Sequence, residues 1–191
     1  MAQRGSYAKG VAKREEILST ALEVIARNGY RRTSVRELAD AVGLSQAGVL
    51  HYFSSKEELF TEVLRKRDEL DNERAGATST VFGALRDTIR HNADVAGLVH
   101  LYTQLSADAT DAQHPANTYF TSRYAVLRER LTAEIATAQS AGTIRDDVDA
   151  GQLATFVIAA MDGLQTQWLL DPSIDMAATI ASVIDLAKPR S

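Results

Sequence analysis

Apolar residues recur along this chain mostly every three or four positions, and few stretches alternate apolar and polar residues with β-branched enrichment. That spacing predicts helices throughout and almost no strand. Over residues 9–28 the apolar set is Val11, Ile17, Leu18, Ala21, Leu22 and Ile25, one face of a helix, and Gly29 supplies a stop just past its end. Ser34 caps a short helix, Val35–Ala41, and Gly43 breaks it. Ser45 caps the next helix, and Ser54 or Ser55 caps a third that begins Lys56-Glu57-Glu58-Leu59, with acids suited to a first turn. Longer helices follow over residues 78–92, 95–107, 116–140, 150–170 and 175–187, with Gly142 and Asp171-Pro172 as stop signals. The change from short to long helices near Ser54–Lys56 predicts two domains, 1–55 and 56–191.

Residues 35–52 have the spacing of a helix-turn-helix. Two helices that cross steeply need a small residue at closest approach, and Ala39 supplies it. The turn between them reverses through a left-handed conformation, and Gly43 sits there. Leu38, Val42, Leu44, Val49 and Tyr52 then converge on a small core with Leu18, Leu22 and Ile25. The second helix has an odd leading turn, Gln46-Ala47-Gly48, almost bare of side chains, although a glycine inside a helix costs about 1 kcal/mol. A recognition helix gives that turn a purpose, because it presents its leading end to base edges in the major groove. Ala47 and Gly48 admit a close approach, Ala47 suits a thymine methyl, and the Gln46 amide suits paired hydrogen bonds to adenine. His51, Tyr52 and Lys56 lie farther along, at the level of phosphates. A plain helical hairpin shares part of this pattern without touching DNA.

The run REEILSTALEVIARNGYRRTSVRELADAVGLSQAGVLHYFSSKEELF resembles the TetR family of transcriptional regulators, most strongly over residues 12–64. The resemblance rests on Asn28-Gly29-Tyr30, Thr33-Ser34-Val35, Leu38-Ala39, Val42-Gly43-Leu44 and Phe53 to Leu59. It implies an all-α homodimer: an N-terminal three-helix bundle with a helix-turn-helix, and a C-terminal helical domain that binds ligand and dimerises. It implies DNA contacts at Thr33, Ser34, Arg36, Ser45, Gln46, Ala47, Gly48, His51, Tyr52 and Lys56. One position departs from the family pattern. Leu50 stands where a phosphate-contacting tyrosine is usual, so that contact is not carried over. Asp162-Gly163-Leu164 is weakly similar to family members with this triplet in the penultimate helix.

Charge sharpens the division. Residues 1–32 hold seven basic and three acidic side chains, whereas residues 61–191 hold twelve and eighteen. A basic head on an acidic body points to a polyanion at the head alone. The chain has no cysteine, hence no disulfide and no thiolate ligand. Its first residues carry no apolar core of signal-peptide length, and no apolar run approaches the roughly 20 residues of a membrane helix. A cytoplasmic protein with no membrane partner is expected. An enzyme finds little support: the four histidines form no HExxH motif, and no GxSxG or glycine-rich phosphate loop is present. Asp111 with His114, and the cluster Asp146, Asp147 and Asp149, are fragments of metal patterns that read better as loop turns and a helix cap at Asp149. No cofactor and no metal are expected. A helical interaction protein with an idle hairpin remains the other class.

The expected partners are therefore a palindromic double-stranded DNA operator, a second copy of the chain, and a small-molecule effector. The apolar content of residues 150–170 and 175–187 predicts a four-helix interface between copies, with Ile180 and Ile184 in it. The effector pocket is expected between the helices over 95–107, 116–140 and 150–170. Its candidate lining is Leu98, Tyr102, Leu105, Phe120, Tyr124, Met161, Gln165 and Trp168.

Overall fold

The computed structural model of the chain describes residues 2–75 and 80–189. These residues form nine α-helices and a short 3-10 turn, with no strand among them. The order is α1 Ala2–Asn28, the 3-10 turn Tyr30–Arg32, α2 Val35–Ala41, α3 Gln46–Leu50, α4 Lys56–Ala75, α5 Val81–Asn92, α6 Ala96–Asp108, α7 Asn117–Ser140, α8 Ala150–Leu170 and α9 Met176–Leu186. The all-α expectation holds. Thr80 caps α5, and the expected start at Thr78 lies outside the described residues. The largest departure is α1, which begins seven residues before the apolar pattern does.

The chain folds as two compact units, one of residues 1–70 and 95–117, the other of residues 71–94 and 118–191. These units describe packing, and they do not follow the division at residues 55 and 56. The boundary falls inside α4, and α6 belongs to the first unit although it comes late in sequence.

In the first unit Ile17, Leu18, Ala21, Leu22 and Ile25 of α1 are buried with Leu38, Ala39, Val42 and Val49, and with Leu59, Phe60, Val63 and Leu64 of α4. Each short helix is stopped and started by named groups. Gly29 leaves α1 at φ +83°, and Gly43 turns between α2 and α3 at φ +68°, a region that favours glycine. Ser34 Oγ accepts from Glu37 N at 3.1 Å and Ser45 Oγ accepts from Gly48 N at 3.0 Å. At the start of α4, Ser55 Oγ accepts from Glu58 N at 3.0 Å while the Glu58 carboxylate accepts from Ser54 N at 2.8 Å, a reciprocal cap.

A charged seam joins α1 to α4. Arg14 donates to Glu62 at 2.6 Å, Lys66 meets Glu15 at 2.8 Å, and the Arg14 guanidinium lies over the Phe53 ring. Burial pushes the Glu62 carboxyl up. Hydrogen bonds from Arg14 and Arg65, with their charges, more than offset this and hold it below its ordinary value. α6 lies close against the end of α1 at Gly97, where a Cβ would stand 2.0 Å from Ile25 O and 2.9 Å from Gly29 Cα. Only a glycine lets α6 lie this close to the end of α1.

The second unit packs α9 against both α8 and α5. Its interior includes Ile89, Leu131, Ile135, Val157, Met161, Leu164, Trp168 and Ile180. Asp149 caps α8 and Asp175 caps α9. The expectation that Ile180 serves an interface between copies is corrected here: Ile180 is already 1% exposed in the single chain, and Ile184 is half-buried. The large apolar side chains that α8 and α9 leave in solvent are Phe156, Leu170 and Leu186, at 57%, 84% and 76% exposure.

Candidate nucleic-acid interface

The ten candidate positions lie on three segments of the first unit. Ser34 and Arg36 open α2, Ser45 to Gly48 open α3, and His51, Tyr52 and Lys56 lie between α3 and the start of α4. Ser34, Arg36, Ser45, Gln46, Ala47, His51 and Lys56 are exposed, and Gly48 and Tyr52 are half-buried. Thr33 does not share this surface. It is 2% exposed, and its hydroxyl donates to Gly29 O at 2.9 Å. It closes the 3-10 turn instead, a role that the motif alone does not distinguish from a surface contact.

α3 has five residues and one buried side chain, Val49. Its leading turn is held by Ser45 and by Val49 N donating to Ser45 O at 3.0 Å. Gln46 and Ala47 stand clear of the protein on this turn. Gly48 is different, because a Cβ there would meet Ser45 Oγ at 3.3 Å and Leu44 Cβ at 3.5 Å. Its missing side chain therefore serves the cap as well as the bare surface. Leu50, at the departure from the family pattern, is 40% exposed and carries no polar group. His51 and Tyr52 meet edge to face at 5.8 Å, and the Lys56 ammonium sits 5.4 Å from the Phe60 ring centroid.

Sequence reasoning missed two groups behind this surface. Lys13 of α1 donates to Val42 O at 2.8 Å, so a lysine closes the end of α2 beside the turn. Tyr30 stacks edge-on with Phe60 at 5.3 Å and with His100 of α6 at 6.0 Å. Burial and then the charges of Asp108 and Glu57 push the Tyr30 hydroxyl up, while burial and then Arg31 push the His100 imidazole down. No local periodicity announces either contact, because each joins residues far apart in the chain.

The eight effector candidates fall in both units. Leu98, Tyr102 and Leu105 are buried on α6 in the first, and Phe120, Met161, Gln165 and Trp168 are buried on α7 and α8 in the second. Half-buried Tyr124 donates to Asp162 at 2.6 Å. Gln165 accepts from Asn92 at 3.4 Å and donates to Met161 O at 3.4 Å, both long bonds for a buried amide. Trp168 also lines a cleft of ≈ 470 Å³ with Ile89, Arg90, Ile174, Asp175 and Met176. The metal fragments resolve into turns. Asp111 accepts from Gln113 N, His114 Nδ1 accepts from Ala116 N, and Asp147 pairs with Arg145. Among the described residues no three potential ligands gather where they could hold a metal ion. No described helix is long and apolar enough to cross a membrane.

Residues 17–63 match the family described as bacterial regulatory proteins, tetR family, and residues 116–186 match the C-terminal domain of BetI-type transcriptional repressors. The chain is 30% identical over 122 residues to the HTH-type transcriptional repressor KstR2 of Rhodococcus jostii, an alignment that spans 63% of this chain and 55% of that protein. It is 27% identical over 187 residues to the repressor AcnR of Corynebacterium efficiens, spanning 95% of each. Its fold is similar to that of a transcriptional regulator from Saccharomonospora viridis solved in complex with choline, with a TM-score of 0.70, 26% identity, and 90% and 95% of the two chains covered. The capped helix-turn-helix and the matches at both ends agree: the chain belongs to the TetR family of DNA-binding transcriptional regulators and is not an enzyme.

Proposed function

We propose that the protein is a cytoplasmic repressor that binds a palindromic operator as a homodimer and leaves it when a small organic effector binds. The observation that carries this reading is the leading turn of α3, exposed, nearly bare and fixed by Ser45 on a buried helix pair. Gln46, Ala47 and Gly48 take the base edges, while Ser34, Arg36, Ser45, His51, Tyr52 and Lys56 take phosphates. Residues 1–55 form the DNA-binding part, and residues 56–191 serve the effector and dimerisation.

One head reads few base pairs, and a two-fold pair reads two half-sites. The exposed Phe156, Leu170 and Leu186 support an interface on α8 and α9. The relatives named as repressors support repression, and the relative solved with choline supports a small organic effector. Within the second unit the long bonds of Gln165 make its amide a group that can be re-paired by a ligand, and Trp168 lies one turn on. An effector releases the protein only if it binds the released arrangement more tightly than the DNA-bound one.

Sedimentation at micromolar concentration tests the assembly. The wild type sediments as a dimer, and Phe156→Asp with Leu186→Asp sediments as a folded monomer with weakened operator binding. A wild-type monomer contradicts the reading. Choline is the first effector probe, and a releasing compound changes Trp168 emission.

A further inference from the structure

We propose that the leading part of α1 is a DNA-backbone arm, with Lys9 on a phosphate outside the base pairs that α3 reads; the inference rests on the reading of α3 as the recognition helix. Residues 2–12 are helical, yet residues 2–8 carry no apolar pattern, Val11 of the expected apolar face is 47% exposed, and the stretch includes two glycines, each costing about 1 kcal/mol in a helix interior. Ala8, Lys9, Val11 and Ala12 are exposed, and a Cβ on Gly10 would meet nothing within 4 Å. From Ala8 onward the first buried side chain of α1 is Ile17. Residues 8–12 therefore do not serve the core.

Its position follows from Lys13. The bond from Lys13 Nζ to Val42 O places that level of α1 against the last turn of α2, directly before the Gly43 turn that leads into Ser45 and Gln46. Residues 2–12 run on from there as a rod of about 16 Å at 1.5 Å per residue. Lys9 lies four residues before Lys13 and so on the same helical face, one turn farther out.

Its charge fits one partner. Arg4 and Lys9 are the ionisable charges between residues 2 and 12, both positive, and the first acid is Glu15. Lys9 has no ion-pair or hydrogen-bond partner among the described residues, whereas Lys13 holds Glu16 and Val42, and Arg14 holds Glu62. An exposed, unpaired lysine one helical turn out from the Lys13 contact with α2 suits the phosphate backbone of duplex DNA, which binds cations irrespective of sequence.

A salt titration of full-length protein on a mixed-sequence duplex tests this, with Lys9→Ala against Arg128→Ala, an equal loss of charge at an exposed position of the second unit. Lys9→Ala is expected to reduce the slope of log K against log salt by about 0.9 for each protomer bound, with an unchanged melting temperature. Arg128→Ala is expected to leave the slope alone. Equal slopes for wild type and Lys9→Ala, or equal losses in both variants, overturn the arm while leaving α3 as the reader. A wild type with no salt-dependent binding overturns both.

Discussion

α3 and α8 use a helix in opposite ways. α3 has five residues, one of them buried, and its candidate function lies in what its leading turn leaves exposed. α8 has 21 residues, seven of them buried, and its candidate function lies in what it encloses. A helix as short as α3 has no stability of its own, since isolated helices need roughly 12–15 residues. It exists because Ser45 caps it, Gly43 turns into it and Val49 anchors it. The difference teaches where information sits. A surface helix is specified by caps and turns that are adjacent in sequence, whereas an interior helix is specified by neighbours that are distant in sequence.

The largest expected effect comes where the first unit depends on distant packing rather than caps. Gly97→Ala drives a methyl into Ile25 O and Gly29 Cα, both backbone atoms that give way only if the helices part. A loss of about 3 kcal/mol is expected, read as a lower urea midpoint, with an unchanged midpoint removing the close approach of α1 and α6. Next, Gln46→Ala is expected to weaken the cognate operator by about 1–3 kcal/mol for a lost paired contact, with little change on random DNA. Lys56→Ala is expected to weaken all sequences alike and to reduce the salt slope by about one unit. Competition binding with both duplexes separates the two patterns.

The two caps give a smaller but direct contrast. Ser45→Ala and Asp149→Ala each remove one side-chain acceptor from a helix start, at about 1 kcal/mol. In α8 the loss is confined to one turn of 21 residues, so operator binding is expected to persist. In α3 the lost turn is the reading turn, so operator binding is expected to fall along with stability. Equal effects on DNA binding contradict the contrast. The smallest effect is the acid response of the α1–α4 seam. The folded Glu62 carboxyl lies below its ordinary value, near 4.3 in an unfolded chain, so its contribution is present above that pH and is lost as pH falls through the folded value. Glu62→Gln is expected to flatten the loss of stability below about pH 4, measured by urea unfolding across that range.

The same contrast explains what the sequence made legible. Val35–Ala41 and Ala150–Leu170 were readable to the residue, because Ser34, Asp149 and Asp171-Pro172 mark their ends locally. The turns at Gly29 and Gly43 were readable for the same reason. Contacts that close through space were not. Gly97 reads as a neutral glycine near a helix start until Ile25 O is placed against it. Thr33 sits in a motif next to Ser34, yet one hydroxyl faces Gly29 O and the other caps α2 at the surface. Ile180 has the spacing of an interface residue and is instead buried within the single chain. The start of α1 at Ala2 was hidden because residues 2–8 offer no apolar stripe to read.

Ala47 gives the most direct test of the central claim, that the leading turn of α3 enters the major groove. Gly48 is the less suitable site, because bulk there disturbs the Ser45 cap before it meets DNA. Ala47 is exposed on the same turn, so Ala47→Leu adds bulk to the surface without entering the core. Measured on the operator selected by the wild type, Ala47→Leu is expected to abolish specific binding while its melting temperature and its weak, salt-dependent binding to random DNA stay close to wild type. An Ala47→Leu protein that binds that operator as the wild type does contradicts the account.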